Sequence, residues 1–477
     1  MANLNPLDIR LTKVSMTKFN GSDELNITPQ IVEISIYQSI FKPAIEGEML
    51  VNDQIGLFVN YPFVGEELIT IYYEQLSGLT DFRSSERKIS FIIKGVRKII
   101  ASDRARSLMY VVDLISPFFL QNTKKYVSHA YAYPIEESAE KLFDEYVKEP
   151  TYEKFQIRKS FRKETTQQVR KLVVPNLRPY KAMQWFAKHA IAKDYNNHYL
   201  FLFYEDLSQF NFVTLQQLIQ DAADTPEKRE LLRKKKYVYV SDVSISVTSP
   251  TGDPDQDLRV ITNIVNNKRF SSIEKIIGGY FQNELFEINL LQKSYNSTKT
   301  ELNEYVNDKY ALEKFPMNTP NYINYVKNKG DEAEISNRVR YIINNYEDKS
   351  IEDRKQPSYR DKFGNTTKYL HALNQVDLTI TVPANMFLKA GDVIYCDIPE
   401  NHGFNIVEND KYISGLFIIS EVKQVLAQGS IAATSLRIYK DGYLNRLQDV
   451  SLYNEGNNRS DRIIDPETGR PIGSGGA

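Results

Sequence analysis

The 477-residue chain has little of what marks several protein classes. Its single cysteine, Cys396, excludes an internal disulfide, and the apolar run VIYCDI around it predicts a small buried side chain in a protein that folds in a reducing compartment. The start MANLNPLDIR has no signal-peptide pattern, and no stretch approaches the roughly 18 apolar residues of a membrane span. We therefore expect neither secretion by signal peptide nor a membrane-spanning segment.

The chain also has no excess of positive or negative charge. The chain has 60 basic and 61 acidic residues, a formal net charge of -1, so the composition implies no polyanionic partner. The one dense basic cluster, Arg233 to Lys236, follows Glu230 and is typical of a solvated helix end.

Metal-binding patterns are absent as well. None of the histidines has the i, i+4 spacing of a helical zinc pair, and none adjoins the cysteine. They are His129, His189, His198, His371 and His402. Asp253, Asp255 and Asp257 alternate as at the start of a calcium loop, but Leu258 replaces its glycine and Ile264 its closing glutamate, which predicts a polar turn between strands.

Patterns for cofactor binding and catalysis are equally weak. Gly278 and Gly279 lack the frame of a phosphate-binding loop, so we expect close backbone packing there, and no G-x-S-x-G motif occurs. Adjacent carboxylates, which are usual on solvated faces, occur as Glu66 with Glu67 and Glu136 with Glu137. We predict no catalytic, cofactor-binding or metal-binding residues, no cofactor, and no enzymatic activity.

Aromatic residues are abundant, with 31 Tyr and 24 Phe, which favours pleated strands. Between Ile31 and Ser116, apolar residues alternate in the runs IVEISIYQSIF, GEMLVND, ELITIYYEQL, KISFIIKGV and SLMYVVDLIS. These runs predict about five antiparallel strands in a small barrel or sandwich, with a long hairpin loop from Ser77 to Lys88.

The pattern changes after Pro117. Apolar spacing predicts one helix between Pro134 and Pro150 and another that follows Pro179 and ends near Asp194. The stretch HYLFLFYEDLSQFNFVTLQQLI then predicts a strand, a turn, a second strand and a helix. We expect an α+β middle region.

Strand periodicity returns in YVYVSDVSISV and, later, in QVDLTITV, GDVIYCDI, SGLFIISEVKQV and AATSLRIY. These runs predict the two halves of a second sheet. The polar stretch between them, from about Tyr295 to Lys368, predicts a partly helical, surface-facing insertion, and the end after Leu447 predicts a mobile tail.

The predicted fold is a multidomain, β-rich α+β protein with two small antiparallel tube-like β-barrels and intervening α+β structure. The predicted divisions are a first tube-like barrel (1–116), an α+β middle domain (117–232), a discontinuous second tube-like barrel (233–295 and 369–447), a polar inserted segment (296–368) and a flexible C-terminal tail (448–477).

Three parts of the chain resemble, in order, the baseplate central hub proteins of contractile-tailed bacteriophages. The matching residues of the first part are Phe41, Gly47, Asp53, Pro62, Gly65 and Glu66. Those of the middle are Trp185, Phe203, Glu205, Phe210, Phe212 and Leu215. Those of the last part are Gly391, Asp392, Pro399, Gly415, Asp441 and Gly442. The resemblance covers roughly half of the chain and leaves out the insertion and the Gly-rich end.

The resemblance implies a structural subunit of the virion, located in the tail baseplate and assembled in the host cytoplasm. In such proteins three subunits, each with two similar barrels, form a pseudo-six-fold ring that adapts the tail tube to the central spike. The implied partners are therefore two further copies in a homotrimer, the spike protein, the tail tube or its initiator ring, and the baseplate wedge proteins. DNA would pass through the lumen without specific recognition.

Three other functions fit the same residues. One is a tail-associated cell-wall hydrolase, and a second is the hub ring of a bacterial contractile injection system. The third is a host-receptor binding module, in which the Tyr- and Asn-rich insertion would form an adhesive surface.

Overall fold

The computed structural model describes residues 9–18, 24–61, 63–75, 87–102, 107–167, 169–193, 200–239, 254–268, 274, 277–280, 282–290, 293–301, 311–313, 315–316, 338–343, 366–367, 369–373, 375–399, 409–410, 412–427 and 433–443. The C-terminal tail and most of the predicted loop Ser77–Lys88 lie outside these ranges. Within them, no helix is both long enough and apolar enough to span a membrane.

The first β unit is an antiparallel sheet that includes the five predicted strands. Its elements are β1 (Ile9–Thr17), β2 (Glu24–Asn26), a 3-10 turn (Thr28–Gln30), β3 (Ile31–Ser39), β4 (Glu46–Asp53), α1 (Leu57–Asn60), β5 (Leu68–Gln75), β6 (Arg87–Ser102) and β7 (Ser107–Ile115). The pairing order is β3-β4-β7-β6-β5-β1-β2. Inward-facing positions such as Ile34, Ile36, Ile69 and Ile71 form a buried core, as their period-two spacing requires.

The middle unit is the predicted α+β region. Its elements are α2 (Pro117–Lys124), β8 (Ala130–Pro134), α3 (Ile135–Phe143), a π-helical turn (Asp144–Lys148), α4 (Glu149–Phe155), β9 (Ser160–Lys163), β10 (Val169–Val173), α5 (Pro179–His189), β11 (Phe201–Glu205), β12 (Gln209–Thr214), α6 (Leu215–Ala223) and α7 (Pro226–Lys234). Two predicted helix ends were wrong. The first helix continues past Pro150, through a π-helical turn in which the N–H of Glu149 bonds to the carbonyl oxygen of Asp144, into α4. The second, α5, ends at His189 rather than near Asp194.

The second β unit contains strands from both predicted halves. The remaining elements are β13 (Tyr237–Tyr239), α8 (Pro254–Asp257), β14 (Val260–Ile261), β15 (Asn263–Lys268), β16 (Gln282–Asn289), β17 (Ser294–Glu301), β18 (Phe315–Pro316), β19 (Arg338–Ile343), β20 (Val376–Pro383), β21 (Val393–Asp397), β22 (Gly415–Ala427), β23 (Ala433–Lys440) and β24 (Gly442–Tyr443). Seven of these strands form the unit, in the order β14-β13-β21-β22-β23-β20-β15.

Three strands form a separate outer sheet, β17-β16-β19. The sequence placed β16 in the second barrel, but it pairs instead with β17 and, in parallel, with β19. Residues 294–301 and 338–343, predicted to be partly helical, are strands. The polar sequence SYNSTKTE hid the first of these strands, because a strand exposed at a sheet edge needs backbone pairing but little apolar alternation. The second, RVRYII, does alternate, and the prediction missed it.

The two β units are joined into one 14-stranded sheet. The N-terminal part of β22 pairs with β21, and its C-terminal part, from Glu421 to Ala427, pairs on the same side with β3 of the first unit. In the described part of the chain, strand pairing in each unit follows an open path. The two closed tube-like barrels therefore stay a prediction.

Candidate functional site

The residues that sequence reasoning tested for chemistry have structural roles. His129 packs against Tyr131, with ring centroids 4.9 Å apart, and Nδ1 of His189 lies 2.8 Å from the carbonyl oxygen of Trp185. His198 and His402 lie outside the described residues. Among the side chains that the structure describes, no three His, Cys, Asp or Glu residues group closely enough to hold a metal ion.

The adjacent carboxylates do not converge on a cleft. Glu67 accepts hydrogen bonds from the backbone N–H groups of Val64 (2.7 Å) and Gly65 (2.9 Å), which closes a turn. Glu66 forms an ion pair with Lys154 at 2.9 Å, and buried Glu136 accepts a hydrogen bond from the hydroxyl of Thr166.

The remaining candidates are also explained by packing. A Cβ added to Gly278 would lie 2.4 Å from the ring of His371, and Gly279 has φ +78°, which confirms close backbone packing. Asp255 and Asp257 lie in α8, a short helix rather than a simple turn. Cys396 is fully buried, and burial raises the pKa of its thiol far above the ordinary value, so the side chain stays a neutral, packed thiol.

The hairpin of β11 and β12 is buried on both faces and contributes to two hydrophobic cores. On β11, Phe201 and Phe203 point into the core shared with the middle-unit helices, whereas Leu202 and Tyr204 point into the core of the second β unit. This alternation is the period-two geometry of a strand. The middle unit and the second β unit therefore share this hairpin as part of their hydrophobic cores.

Glu205, at the end of β11, connects this hairpin to the first β unit. Its side chain is 0% exposed. Its carboxylate accepts hydrogen bonds from the backbone N–H of Ile45 (3.1 Å), the hydroxyl of Ser116 (2.7 Å) and the ammonium of Lys159 (2.8 Å). Lys159 also donates to the carbonyl oxygen of Asp206 at 2.7 Å. A buried carboxylate with a counter-ion and two further donors fixes its neighbours because each unmade bond would be costly.

The seam between the two β units also exchanges core residues. Ile40 of the first unit belongs to the core of the second, while Met386 and Leu426 of the second belong to the core of the first. The backbone N–H of Met386 donates to the side chain of Gln75 at 2.9 Å. Separating the units would expose apolar surface on both sides of the seam.

A short strap from the insertion, Ala311–Glu313, is held between α7 and the second β unit. The guanidinium of Arg229 donates to the carbonyl oxygens of Leu312 (2.9 Å) and Ala311 (3.0 Å). Asp441 accepts hydrogen bonds from the backbone N–H groups of Leu312 (2.8 Å) and Glu313 (3.2 Å), and Leu312 is fully buried.

The strap supplies an acid for a buried lysine. Lys440 is 0% exposed and lies 3.6 Å from Glu313, and it donates to the carbonyl oxygens of Ile413 (2.8 Å) and Ser414 (2.7 Å). Burial lowers the pKa of Lys440 and raises the pKa of Asp441 to about 6. Sequence reasoning missed this cluster because a lysine in a strand ordinarily predicts an exposed position.

Several residues that carry the family resemblance have conformational roles here. Asp53 accepts hydrogen bonds from the backbone N–H groups of Leu57 (2.7 Å) and Phe58 (2.8 Å) at the start of α1. Gly391 has φ +98°, and a Cβ there would lie 2.5 Å from the hydroxyl of Tyr204. Pro62 lies outside the described residues.

One end of the first β unit exposes apolar side chains. The register places the start of β3, the end of β4 and the far part of the β6–β7 hairpin at this end, since Ile31 pairs with Val51, Val51 with Tyr110, and Ile100 with Met109. We call the exposed set the apolar end: Val32, Ile55, Val59, Ile99 and Ile100, which are 39% to 77% exposed. A bulge at Lys98 (φ 53°) allows both consecutive isoleucines to be exposed.

Searches for related protein families and for related characterised sequences found no match. Among solved structures, the chain is similar to a tail protein from Neisseria meningitidis MC58, at 12% identity and a TM-score of 0.49, over 90% of this chain and 96% of that one. It is also similar to the 43 kDa tail protein of prophage MuSo2 from Shewanella oneidensis, at 9% identity and a TM-score of 0.47, over 90% and 98%. A third is the E. coli c3393 protein, a component of the type VI secretion system, at 8% identity and a TM-score of 0.38, over 90% and 76%.

Proposed function

We propose that the chain is a structural, non-enzymatic subunit of a contractile phage tail, which forms a trimeric hub ring between the tail tube and the central spike. The observation that carries the proposal is the continuous sheet through β22 and β3, which holds two seven-stranded β units side by side. Three such chains would supply six β units around one axis, in agreement with the resemblance in sequence.

Rigidity supports the same role. A ring that joins a tail tube and a spike of different symmetry must keep its β units in fixed positions relative to one another. The shared hairpin, Glu205 and the exchanged core residues hold the three units of this chain together. Closure of a ring would also protect free sheet edges, which otherwise promote uncontrolled association.

The apolar end supplies a surface for the next ring. Monomeric proteins scatter exposed apolar side chains, whereas their concentration at one end of a sheet is typical of a contact surface. In this proposal the apolar end stacks against the tail tube, and the middle unit meets the spike.

The first test is the mass of the purified full-length chain by light scattering. A trimer has three times the subunit mass of 55.2 kDa, about 166 kDa. The V59D/I100D variant is expected to form the same trimer but to lose binding to purified tail tube. The matched control is Leu231→Asp, because Leu231 is 53% exposed on α7, away from the apolar end. A chain that stays monomeric even with its candidate spike and tube partners, or that clears peptidoglycan in a zymogram, would contradict the proposal.

The outer sheet favours a second function, binding to the host surface. Phe286 and Tyr341 stack with ring centroids 5.3 Å apart, and Tyr295 is 73% exposed beside them. These residues border a cavity of about 520 Å³. The Y295S/Y341S variant should assemble normally but reduce adsorption of virions that carry it, whereas Ile277→Ser, which alters an exposed residue not among those lining the cavity, should not. Unchanged adsorption would rule this function out.

A further inference from the structure

The first part of the middle unit, residues 117–193, concentrates positive charge that the balance of the whole chain conceals. Residues 117–193 contain 15 Lys and Arg but only eight Asp and Glu, in a chain of net charge -1. Two of those eight acids, Glu136 and Glu164, are buried. The surface of this part is therefore more basic than its composition.

Two segments bring much of this charge together. The backbone groups of Val127 and Leu177 exchange hydrogen bonds of 2.7 and 3.1 Å, which places the residues after Lys124 beside those around Arg178. A third bond, from the N–H of Tyr180 to the side chain of Asn122 (2.8 Å), holds the start of α5 against the end of α2. Neither residues 121–130 nor residues 172–181 include an acid.

We define the basic patch as Lys124, Lys125, Tyr126, Val173, Arg178 and Lys181, all of which are exposed. The guanidinium of Arg178 lies 5.6 Å from the ring centroid of Tyr126 and donates to its hydroxyl at 3.3 Å. Two carboxylates border the patch. Glu66 lies 3.9 Å from Lys124, and Glu145 interacts with Tyr146, whose ring Lys125 approaches at 6.0 Å.

We propose that the basic patch is a docking surface for an acidic protein surface. Its cations match carboxylates, and a prearranged arginine beside tyrosine is a frequent centre of protein interfaces. Tyr126 is 57% exposed and Val173 65% exposed, and an apolar group such as Val173 gains nothing from a phosphate backbone. These two side chains favour a protein partner over a nucleic acid. The inference does not depend on the proposed hub function.

The test uses the full chain and three probes: poly-L-glutamate, a random glutamate–tyrosine copolymer, and a DNA duplex of equal anionic charge. The K125E/R178E/K181E variant is expected to bind both polypeptides about ten-fold more weakly at low salt. The control K188E/K193E/K234E makes the same change of charge at exposed lysines outside the patch and should change binding less than about three-fold.

A second variant tests the apolar part. Wild-type protein should bind the copolymer more tightly than poly-L-glutamate, and Y126S/V173S should abolish that difference without weakening binding to poly-L-glutamate by more than about three-fold. If the two charge-reversal variants lost binding affinity equally, the net charge of the protein would explain the effect, and the proposal would be overturned. Tighter binding of DNA than of either polypeptide would assign the patch to nucleic acid and overturn it as well.

Discussion

Replacement of Glu205 by glutamine should loosen the first β unit from the middle unit. Glutamine keeps the shape of the side chain but has one acceptor oxygen and an amide donor in place of two anionic oxygens. Three donors converge on the carboxylate, from Ile45, Ser116 and Lys159. Whichever way the new amide turns, one of its N–H groups must face another donor, and the 14% exposed Lys159 loses its counter-ion.

The expected cost is about 3 to 5 kcal/mol, the range for breaking a buried ion pair by removal of one partner. Ser116→Ala removes only one neutral donor from the same carboxylate and should cost about 1 kcal/mol, so it is the matched control. The double variant E205Q/K159M should cost less than the sum of its single changes, because the lysine is no longer left buried without a counter-ion.

Urea denaturation measures these free energies, and hydrogen exchange locates the effect. In Glu205→Gln, the amides of residues 44–46, 115 and 116 should exchange faster, whereas those of the β20–β23 pair should not. A cost below about 1 kcal/mol, or faster exchange spread evenly over the chain, would refute the reasoning that this carboxylate joins the two units.

Three further predictions concern the strap, a glycine and a buried acid. Glu313→Gln and Lys440→Met should show a coupling energy of about 1 to 3 kcal/mol in a urea double-mutant cycle, and additive costs would contradict their pairing. Gly391→Ala should destabilise the protein by about 2 kcal/mol or more, because Gly391 has a φ of +98° and the hydroxyl of Tyr204 lies beside it. Gly95→Ala is the control, since no atom lies within 4 Å of the new Cβ, and it should have little effect on the midpoint of unfolding. Burial raises the pKa of Glu164 from 4.5 to about 7, so the folded state holds a proton that the unfolded state releases. The free energy of unfolding should therefore rise by about 3 kcal/mol as pH falls from 8 to 4.5. Glu164→Gln should remove this part of the pH dependence, and identical pH profiles for the variant and the wild type would contradict it.

Local pattern was enough to find most strands and the central hairpin. Alternation in ISIYQS reports which side chains share a face, and the short apolar run FLFYE before a turn predicts a strand; β3 and β11 lie where these patterns predicted them. By contrast β1, with the sequence IRLTKVSMT, was missed because polar residues interrupt its apolar face. The outer sheet was missed for the related reason that β17, SYNSTKTE, has no apolar alternation, although its backbone pairs with β16.

The features that support the proposed function depend on contacts between residues far apart in sequence. The spacing of residues along the chain does not predict which of them meet. The seam brings Gln38 to within 3.3 Å of Gln424, a separation of 386 residues in sequence. Glu205 was noted for its resemblance, but its partners Ile45 and Ser116 could not be inferred from periodicity. The strap was also not predictable, because Leu312 lies in a polar stretch and is buried through contacts with elements distant in sequence.

The measurement that tests the central claim most directly is a cryo-EM reconstruction of the assembled full-length protein, alone or with its spike and tube partners. The account predicts a three-fold ring in which six β units lie at one level around the axis, each pair joined through β22 and β3. A particle without three-fold symmetry, or one in which the two β units of a chain lie at different levels along the axis, would contradict it.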